Sequence, residues 1–390
     1  MDFAFTEEQN RFREEVRDFL EGEIEQGLWE PSCDAWIQGY NPEFTKRVAQ
    51  KRWMGLTWPK EYGGQERSFV DRFILTEEML RYGAPAACHW FADRQIGGSI
   101  LKYGSEEQKR EFLPKIIRGE MYVGLGMSET ETGSDLASLR TMAVEDGNDY
   151  IINGQKTWTS GAWFMNHIYL LARTDTTVPK HRGISEFIIP IDTPGISRIP
   201  MIDVTGTEAW NDIFFDNVRV PKKYMIGEKN RGFYHVMEQL AYERSGFERL
   251  MGNYALFEAL LKFVNETKRN GKALSQDTVI RHKLVQLQVE FEVGRLLMYK
   301  VALVMDEGQA PTVEAAMSKA YATAFEQRLA NTAMEILGPY GLLWAGSKYA
   351  PFGGMAAHSY LGSKGYSLQA GTTEIMKNIV ATRGLGLPTS

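Results

Sequence analysis

The chain has few of the residues that build disulfide frameworks, metal centres or membrane spans. Among 390 residues there are two cysteines, Cys33 and Cys88, and six histidines. The cysteines show neither CxxC spacing nor a neighbouring histidine cluster, which argues against a disulfide framework, a thiol redox pair and a zinc site. No run of about eighteen or more apolar residues occurs, so we expect no membrane-spanning helix.

An excess of positive charge is also missing. The chain has 44 Lys and Arg residues against 50 Asp and Glu residues, for a formal net charge of −6. Its basic residues are spread along the sequence, which argues against nucleic-acid binding. The first predicted helix mixes Glu and Arg with its apolar residues, unlike a secretory signal, and we therefore expect a cytoplasmic protein.

The hydrophobic periodicity divides the chain into three segments. Residues 1–120 have a helical period and predict an N-terminal α-helical domain. Residues 121–229 contain short β-type runs and predict a middle antiparallel β-barrel or sandwich. Residues 230–390 return to long helical runs and predict a C-terminal four-helix bundle. The expected fold class is therefore α+β, in the order helices, sheet, helices.

Several helix starts carry recognisable capping signals. Two of them have a hydroxyl residue followed three residues later by glutamine, which is the spacing of a capping box. The pairs are Thr6 with Gln9 and Ser105 with Gln108. Asn41 followed by Pro42 matches an N-cap and a first-turn proline.

The middle segment shows strand runs separated by turn signals. The runs are Tyr150 to Ile152, His167 to Ala172, Ser185 to Ile191 and Asp212 to Val220. Asp146-Gly147 and Asn153-Gly154 are dipeptides typical of type I′ hairpin turns, in which both central residues have positive φ. We therefore predict a hairpin at each dipeptide.

The last segment predicts helices long enough for a bundle. They cover Phe233 to Asn265, Thr278 to Asp306 and Thr312 to Leu337, with a short helix from Glu374 to Arg383.

Two polar stretches of the middle segment could bind a ligand. Ser128 to Asp135 concentrates hydroxyls, carboxylates and a glycine after a strand, and could offer donors to a phosphate or a flavin edge. The residues alone favour a solvated turn with local hydrogen bonds. Lys156 to Gly161 places a Trp and two hydroxyls at a strand end, where a planar ring could rest, although a core Trp is the alternative.

Together with further motifs, these stretches resemble the acyl-CoA dehydrogenase family over essentially the whole chain. The matching segments are Trp58 to Gly64, Met127 to Asp135, Asn153 to Ser160, Glu335 to Gly338 and Gln369 to Ile375. They occur in the family's order and register. Thr130 and Thr132 depart from the pattern, since they stand where the family usually has Pro and Ala.

The resemblance implies that the chain binds FAD. The residues at its flavin-contacting positions are Met127, Ser128, Ser134, Trp158, Thr159 and Ser160. It implies that Ser134 also contacts coenzyme A and that Ser160 could reach the flavin N5.

Thr372 and Glu374 match the family's contacts to the nucleotide half of FAD, at a helix start that favours an anionic diphosphate. A plain helix cap is the alternative for Thr372. The family's usual diphosphate-contacting Arg is replaced by Thr267, and Lys268 or Arg269 could substitute for it.

The reaction implied by the resemblance removes the α-proton of an acyl-CoA thioester while hydride leaves the β-carbon for the flavin, and it needs a basic carboxylate. Many relatives place this Glu where the present chain has Ala370. Others place it on the long helix after the β domain, immediately before an Arg, and the matching pair is Glu243-Arg244. We therefore predict Glu243 as the catalytic base.

The spacing of apolar residues supports this choice. Apolar residues recur at intervals of three and four on both sides of Glu243, so its carboxylate should be partly desolvated, which raises its pKa. These residues are Val236, Leu240, Phe247, Leu250 and Tyr254. A structural ion pair of Glu243 with Arg244 or another cation is the alternative. Glu248 stands four residues after Arg244, the spacing of an ordinary surface pair, and is the less favoured base.

The resemblance also implies where the substrate and the partners bind. Tyr242 and Arg244 match substrate-side positions, and the thioester carbonyl would bind at Ala370 and Gly371, where alanine still supplies its backbone N–H. Relatives with this arrangement accept branched, long or ring-bearing acyl groups. An electron-transfer flavoprotein is the implied acceptor, and a homotetramer or a hetero-oligomer with a related chain is the implied assembly.

Two other functions remain open. The chain could be an oxygen-reactive oxidase or monooxygenase on the same fold, or a non-catalytic subunit of a hetero-oligomeric dehydrogenase.

Overall fold

The computed structural model describes residues 4–243 and 247–388, except for the side chains of residues 241–243 and 247. The chain divides into two compact units. The bundle unit consists of Met1–Trp36, Phe69–Ala84 and Arg244–Ser390, and the sheet unit of Ile37–Ser68 and Pro85–Glu243. The division into three domains, residues 1–120, 121–229 and 230–390, stays a prediction.

Helices account for most of the regular structure. They are α1 (Glu7–Glu25), α2 (Ala35–Gln38), α3 (Pro42–Gln50), α4 (Phe69–Arg81), α5 (Ala87–Phe91), α6 (Gly97–Tyr103), α7 (Glu106–Ile117), α8 (Gly232–Glu243), α9 (Phe247–Met251), α10 (Tyr254–Glu266), α11 (Thr278–Asp306), α12 (Thr312–Leu337), α13 (Met355–Tyr366) and α14 (Thr373–Ile379). Within the described ranges, no helix has both the length and the apolarity needed to cross a membrane.

The strands are β1 (Val123–Gly126), β2 (Met142–Asp146), β3 (Asp149–Ser160), β4 (His167–Arg173), β5 (Ile184–Pro190), β6 (Ile196–Met201), β7 (Trp210–Pro221), β8 (Met225–Ile226), β9 (Lys268–Arg269) and β10 (Lys272–Ala273). Eight of them form one sheet in the order β6-β7-β3-β2-β4-β5-β8, with β1 beside β4. Most pairings are antiparallel, while β4 runs parallel to β1 and β2. The predicted α+β class, with helices on either side of a β region in the sequence, is confirmed.

Strand β4 is buried on both faces, which places it at the centre of the sheet unit. Ile168 and Leu170 belong to the core between the strands. Tyr169 and Leu171 point the other way, into a core shared with Trp58, α7 and α8. Successive residues of a strand face opposite sides, so a strand covered on both sides reads as a continuous apolar run.

The capping signals are confirmed. The side chain of Thr6 accepts from the backbone N–H of Gln9 at 3.2 Å, and the backbone N–H of Thr6 donates to the Gln9 side chain at 2.9 Å. Ser105 and Gln108 make the same reciprocal pair. Asn41 accepts from the N–H of Phe44 at 2.9 Å. These interactions are local, so the sequence alone is sufficient to predict them.

The hairpin predicted at Asn153-Gly154 is wrong. Strand β3 continues through both residues, and its register against β7 shifts between Ile152 and Gly154. A Cβ on Gly154 would lie 2.6 Å from the Thr141 hydroxyl oxygen, and its φ is +148°. The glycine therefore permits a β-bulge and a close approach of chains rather than a turn.

The hairpin at Asp146-Gly147 is confirmed, with a different pair at its centre. Asp146 pairs with Asp149, so the turn residues are Gly147 and Asn148. Gly147 has a φ of +63°, whereas Asn148 is not among the positive-φ residues. The prediction of a type I′ turn is therefore wrong, because only one central residue is left-handed.

The bundle unit confirms two long helices and corrects a third. The bounds predicted for α11 and α12 agree with the structure. The helix predicted from Phe233 to Asn265 is interrupted at Gly252 and Asn253, between α9 and α10. There the backbone N–H and the side-chain amide of Asn253 donate to the buried Glu326 at 3.3 and 2.7 Å. Burial of this pair overrides the apolar periodicity that predicted one helix.

Helices α1 and α4 also belong to the bundle unit. Glu78 of α4 is fully buried and forms ion pairs with Arg13 and Arg17 of α1. Its neighbour Glu77 pairs with Arg295 of α11. The first helix therefore packs in the same unit as the C-terminal helices.

Two adjacent glycines of α6 give a matched test of packing. A Cβ on Gly97 would lie 2.0 Å from Cζ2 of the buried Trp58, whereas a Cβ on the exposed Gly98 would meet nothing within 4 Å. We expect Gly97→Ala to lower the free energy of unfolding by about 1–3 kcal/mol through overpacking. Gly98→Ala should raise it by up to about 1 kcal/mol through helix propensity. Urea denaturation of both variants measures this, and equal midpoints would contradict the packing argument.

Candidate active site

In the sheet unit, the predicted flavin loop is tied to strand β3 through its backbone. The carbonyl oxygen of Met127 accepts from Lys156 Nζ at 3.1 Å, and that of Ser128 accepts from the N–H of Thr157 at 2.9 Å. Both residues follow β1 directly and are half-buried. Two predicted contact segments, the loop and the end of β3, are thus brought side by side.

A buried ion pair fixes this loop. Lys156 Nζ lies 2.8 Å from Glu129 Oε1, and the lysine side chain is fully buried. Glu129 also accepts from the backbone N–H groups of Arg140 and Thr141 at 2.6 and 2.9 Å. Every oxygen of the carboxylate is therefore hydrogen-bonded, as a buried charge requires.

The pKa values of the pair reflect competition between burial and charge. Burial lowers the pKa of Lys156 to about 8, with Glu129 acting in the opposite direction. Burial alone would raise the pKa of Glu129, but the Lys156 charge and the hydrogen bonds outweigh it and hold that pKa below its ordinary value. Sequence reasoning assigned no role to either residue, although both lie inside the two motifs that it singled out.

Trp158 protrudes from a second bulge of β3. The register against β7 shifts between Lys156 and Thr159, and Trp158 has a φ of +58°. Its side chain is 56% exposed and meets Trp210 edge-on, with ring centroids 6.3 Å apart. The alternative that Trp158 is a core residue is therefore wrong. A bulky residue with positive φ is strained by about 1–3 kcal/mol, a feature that clusters at functional sites.

Among the described residues, buried hydroxyls without partners occur next to this bulge, at Thr159, and in the loop after β1, at Thr132. The hydroxyls of Thr159 and Thr132 are buried and have no hydrogen-bond partner in the described part of the chain. Ser160 is half-buried and pairs with Trp210 across the strands. Ser134, by contrast, is exposed at the outer part of the loop. Buried hydroxyls without partners suit a site that becomes complete when a polar ligand binds.

In the bundle unit, the turn before α14 is held by a buried lysine. Lys319 Nζ donates to the carbonyl oxygens of Tyr366 and Gly371 at 2.9 and 2.6 Å. Ala370 and Gly371 both have positive φ, +53° and +91°. The turn predicted to bind the thioester is thus a left-handed segment with an internal clamp, and sequence reasoning missed the role of Lys319.

Thr372 caps α14. The helix cap expected as the alternative for this residue is therefore confirmed. Its side chain accepts from the N–H of Ile375 at 3.2 Å. Hydrogen bonds from its own backbone N–H and from Thr372 lower the pKa of the exposed Glu374. Lys268 and Arg269, the possible substitutes for the missing Arg, lie on the exposed strand β9. Their contact with a diphosphate stays a prediction.

The side chain of the predicted base, Glu243, lies outside the described residues. Glu243 is the last residue of α8, and its side chain and that of Tyr242 lie outside the described residues, as does the whole of Arg244. The assignment of Glu243 therefore stays a prediction. Glu248 is described, and it is only 4% exposed, with one carboxylate oxygen that has no partner among the described residues. The interpretation of Glu248 as a surface residue is wrong.

Helix α8 is anchored to the sheet by a second buried pair that sequence reasoning missed. Nδ1 of His235 on α8 lies 2.9 Å from Oε1 of the buried Glu186 on β5. The hydroxyl of Tyr169 donates to the other oxygen of Glu186, and Tyr103 stacks on the His235 ring at 3.8 Å. Burial raises the pKa of Glu186 despite these hydrogen bonds. The helix that ends at Glu243 is thus fixed two turns earlier.

Known protein families and relatives match the chain over almost its whole length. Residues 6–120, 124–218 and 230–385 match the N-terminal, middle and C-terminal domains described for acyl-CoA dehydrogenases. The chain is 30% identical to acyl-CoA dehydrogenase FadE26 of Mycobacterium tuberculosis, covering 100% of this chain and 99% of the relative. It is 31% identical to glutaryl-CoA dehydrogenase of Desulfococcus multivorans, covering 99% of each.

Solved structures agree with these matches. The steroid acyl-CoA dehydrogenase (ACAD) Tcur3481-Tcur3483 superimposes with a TM-score of 0.89 at 30% identity, covering 100% of both chains. The ChsE4-ChsE5 complex of Mycobacterium tuberculosis does so with a TM-score of 0.88 at 31% identity, also covering 100% of both.

The buried pair predicts how strongly the loop depends on Lys156. Lys156→Met leaves the Glu129 carboxylate buried without its cation, a change that costs about 3–5 kcal/mol in comparable pairs. We expect this variant to have a free energy of unfolding lower by about this amount, which urea denaturation measures. Lys180→Met is the control, because Lys180 forms an exposed pair with Asp135 of the same loop, worth about 0–1 kcal/mol. Equal denaturation midpoints for the two variants would contradict this structural role of Lys156.

Proposed function

The chain belongs to the acyl-CoA dehydrogenase family, and from this we propose that it is a FAD-dependent enzyme that desaturates an acyl-CoA thioester with Glu243 as the base. The observation that carries the proposal is the end of β3, where Lys156 clamps the loop after β1, and where the exposed, strained Trp158 is followed directly by the buried, unpaired hydroxyl of Thr159.

The residues around β3 fit a flavin. Met127, Ser128, Thr159 and Ser160 would hold its polar edge, and Trp158 would lie against the ring. Buried hydroxyls of this kind gain partners when a ligand supplies polar atoms. Bound FAD would supply the acceptor for the hydride that leaves the β-carbon. Ser134 would contact both FAD and coenzyme A, and Thr372 and Glu374 would bind the nucleotide half.

The chain's own residues account for the proton. The C–H bond at the α-carbon breaks, and the proton passes to the carboxylate of Glu243, because Ala370 has no group that can accept it. The thioester carbonyl would accept from the backbone N–H of Ala370 in the turn clamped by Lys319. Tyr242, Arg244 and Gly371 complete the proposed substrate contacts.

The substrate and the acceptor are proposed from the relatives. One superimposed structure is named as a steroid enzyme, which supports a branched, long or ring-bearing acyl group. We propose an electron-transfer flavoprotein as the acceptor. Rapid reoxidation of the substrate-reduced protein in air would favour an oxidase or monooxygenase instead.

The base assignment is tested by an isosteric pair of variants. We expect Glu243→Gln to slow desaturation about 10²- to 10⁴-fold, the usual contribution of a general base. The measurement is anaerobic mixing with a panel of acyl-CoA thioesters while the visible flavin absorption is followed. Glu248→Gln tests the alternative carboxylate in the same way. If only Glu248→Gln loses activity, or Glu243→Gln stays as fast as the parent, Glu243 is not the base.

An exposed apolar face supports the assembly that we propose. Val285, Val289, Val293 and Leu296 follow one face of α11 at spacings of four, four and three, and are 40–56% exposed. A stripe of this kind on a long helix suits coverage by another helix. The two superimposed structures bear paired names, one of them a complex. We propose that a second copy, or a related chain, covers this face in a tetramer.

The double variant Val285→Glu and Val289→Glu tests this face. We expect a smaller molar mass by light scattering after size exclusion, because charges at a packed seam oppose association. Val144→Glu is the control, since Val144 on β2 has the same 56% exposure as Val285 but lies outside the stripe. An unchanged mass for the double variant would exclude α11 from the interface.

A further inference from the structure

Arg249 of α9 is buried in the bundle unit in an unusual setting. Its side chain is 3% exposed, and the guanidinium lies over the rings of Trp36 and Tyr366, 4.8 and 4.9 Å from their centroids. A guanidinium stacked in this way keeps its N–H groups in a fixed plane. The arginine is therefore rigidly oriented, with donors that point along the plane.

Two of the three guanidinium nitrogens have no partner within the described part of the chain. Nε and Nη1 of Arg249 are buried and have no hydrogen-bond partner there, and the same is true of the Tyr366 hydroxyl. Glu326 interacts electrostatically with Arg249, but its two oxygens accept from Asn253 instead. Burial raises the pKa of Glu326 well above its ordinary value, and this carboxyl group leaves the N–H groups of Arg249 unsatisfied. Buried donors without acceptors are rare in folded proteins and each requires an explanation.

The same cluster is joined to the turn proposed for the thioester. Tyr366, whose ring stacks on Arg249, ends α13. Its carbonyl oxygen and that of Gly371 are bridged by the single ammonium group of Lys319. Arg249 and the Ala370-Gly371 turn therefore belong to one locally rigid arrangement within the bundle unit.

We propose that Arg249 and Tyr366 form a subsite for an oxygen atom carried by the acyl group of the substrate, such as a hydroxyl, a ketone or a carboxylate. This rests on the proposed function and narrows its substrate class to oxygen-bearing acyl groups. Arginine has donors only, so its partner must be an acceptor, and the tyrosine hydroxyl can donate to the same atom. A purely hydrocarbon acyl group would leave these donors unpaired, which is how a polar pocket rejects an analogue that lacks oxygen.

The experiment uses pairs of acyl-CoA thioesters of equal chain length, with and without a distal oxygen. The three oxygenated arms carry a hydroxyl, a ketone or a carboxylate, and distinguish the forms of acceptor. For the parent enzyme we expect kcat/KM to favour at least one oxygenated member by about 10- to 100-fold, the effect of leaving buried donors unpaired. In Arg249→Met, which keeps an unbranched side chain without N–H groups, this preference should disappear.

Further variants separate recognition from folding. Arg249→Lys keeps the charge but loses the planar fork, and should retain only part of the preference. Tyr366→Phe keeps the stacked ring and removes the hydroxyl, and should weaken the preference several-fold. Arg328→Met, which removes a partly exposed arginine paired with Glu290 on α11, is the control and should leave the preference unchanged.

Binding of the enoyl products, measured by calorimetry, gives a readout that needs no turnover. The oxygenated product should bind the parent more tightly than its hydrocarbon match does. In Arg249→Met the two products should bind equally well. A parent without any preference, or a preference that survives Arg249→Met, overturns the proposal and indicates buried water as the partner. If no thioester is desaturated, or Glu243→Gln has no effect while the preference in binding is present, the proposed reaction fails and the subsite stands.

Discussion

The candidate site depends on the rule that a buried charge must be fully hydrogen-bonded. The buried ammonium group of Lys156 donates to the carboxylate of Glu129 and to the carbonyl oxygen of Met127. The carboxylate in turn takes two backbone N–H groups. The loop, strand β3 and the segment directly before β2 are thereby joined at a single point inside the sheet unit. Removing either partner would leave an uncompensated charge, so the geometry of the loop is set from within rather than by its exposed residues.

The bundle unit uses a related device. Lys319 is buried and donates to two carbonyl oxygens of the turn before α14. In both units an ammonium group directed at carbonyl oxygens holds a segment that the family resemblance connects with ligand binding. Rigid support of this kind matters because a binding loop that shifts by a fraction of an ångström loses much of its effect on catalysis.

Local features of the structure could be predicted from the sequence, and features that depend on distant partners could not. Thr6, Ser105 and Asn41 cap their helices because the partners lie three residues away. The bounds of α11 and α12 follow from their long apolar periods. The ion pair of Lys156 needed knowledge of which loop lies beside β3, and the burial of Glu248 needed knowledge of helix packing. The bulge at Gly154 also escaped prediction, since Asn-Gly is read locally as a turn.

The bundle unit is assembled from both ends of the chain, and this has a consequence for biosynthesis. Helices α1 and α4 leave the ribosome early, whereas α11, which packs in the same unit, follows α4 by about 200 residues. At translation rates of about 5–20 residues per second, the delay is roughly 10 to 40 s. During that time α1 and α4 can pack on each other, but the face of α4 that packs against α11 has no native partner and stays exposed until α11 has been made.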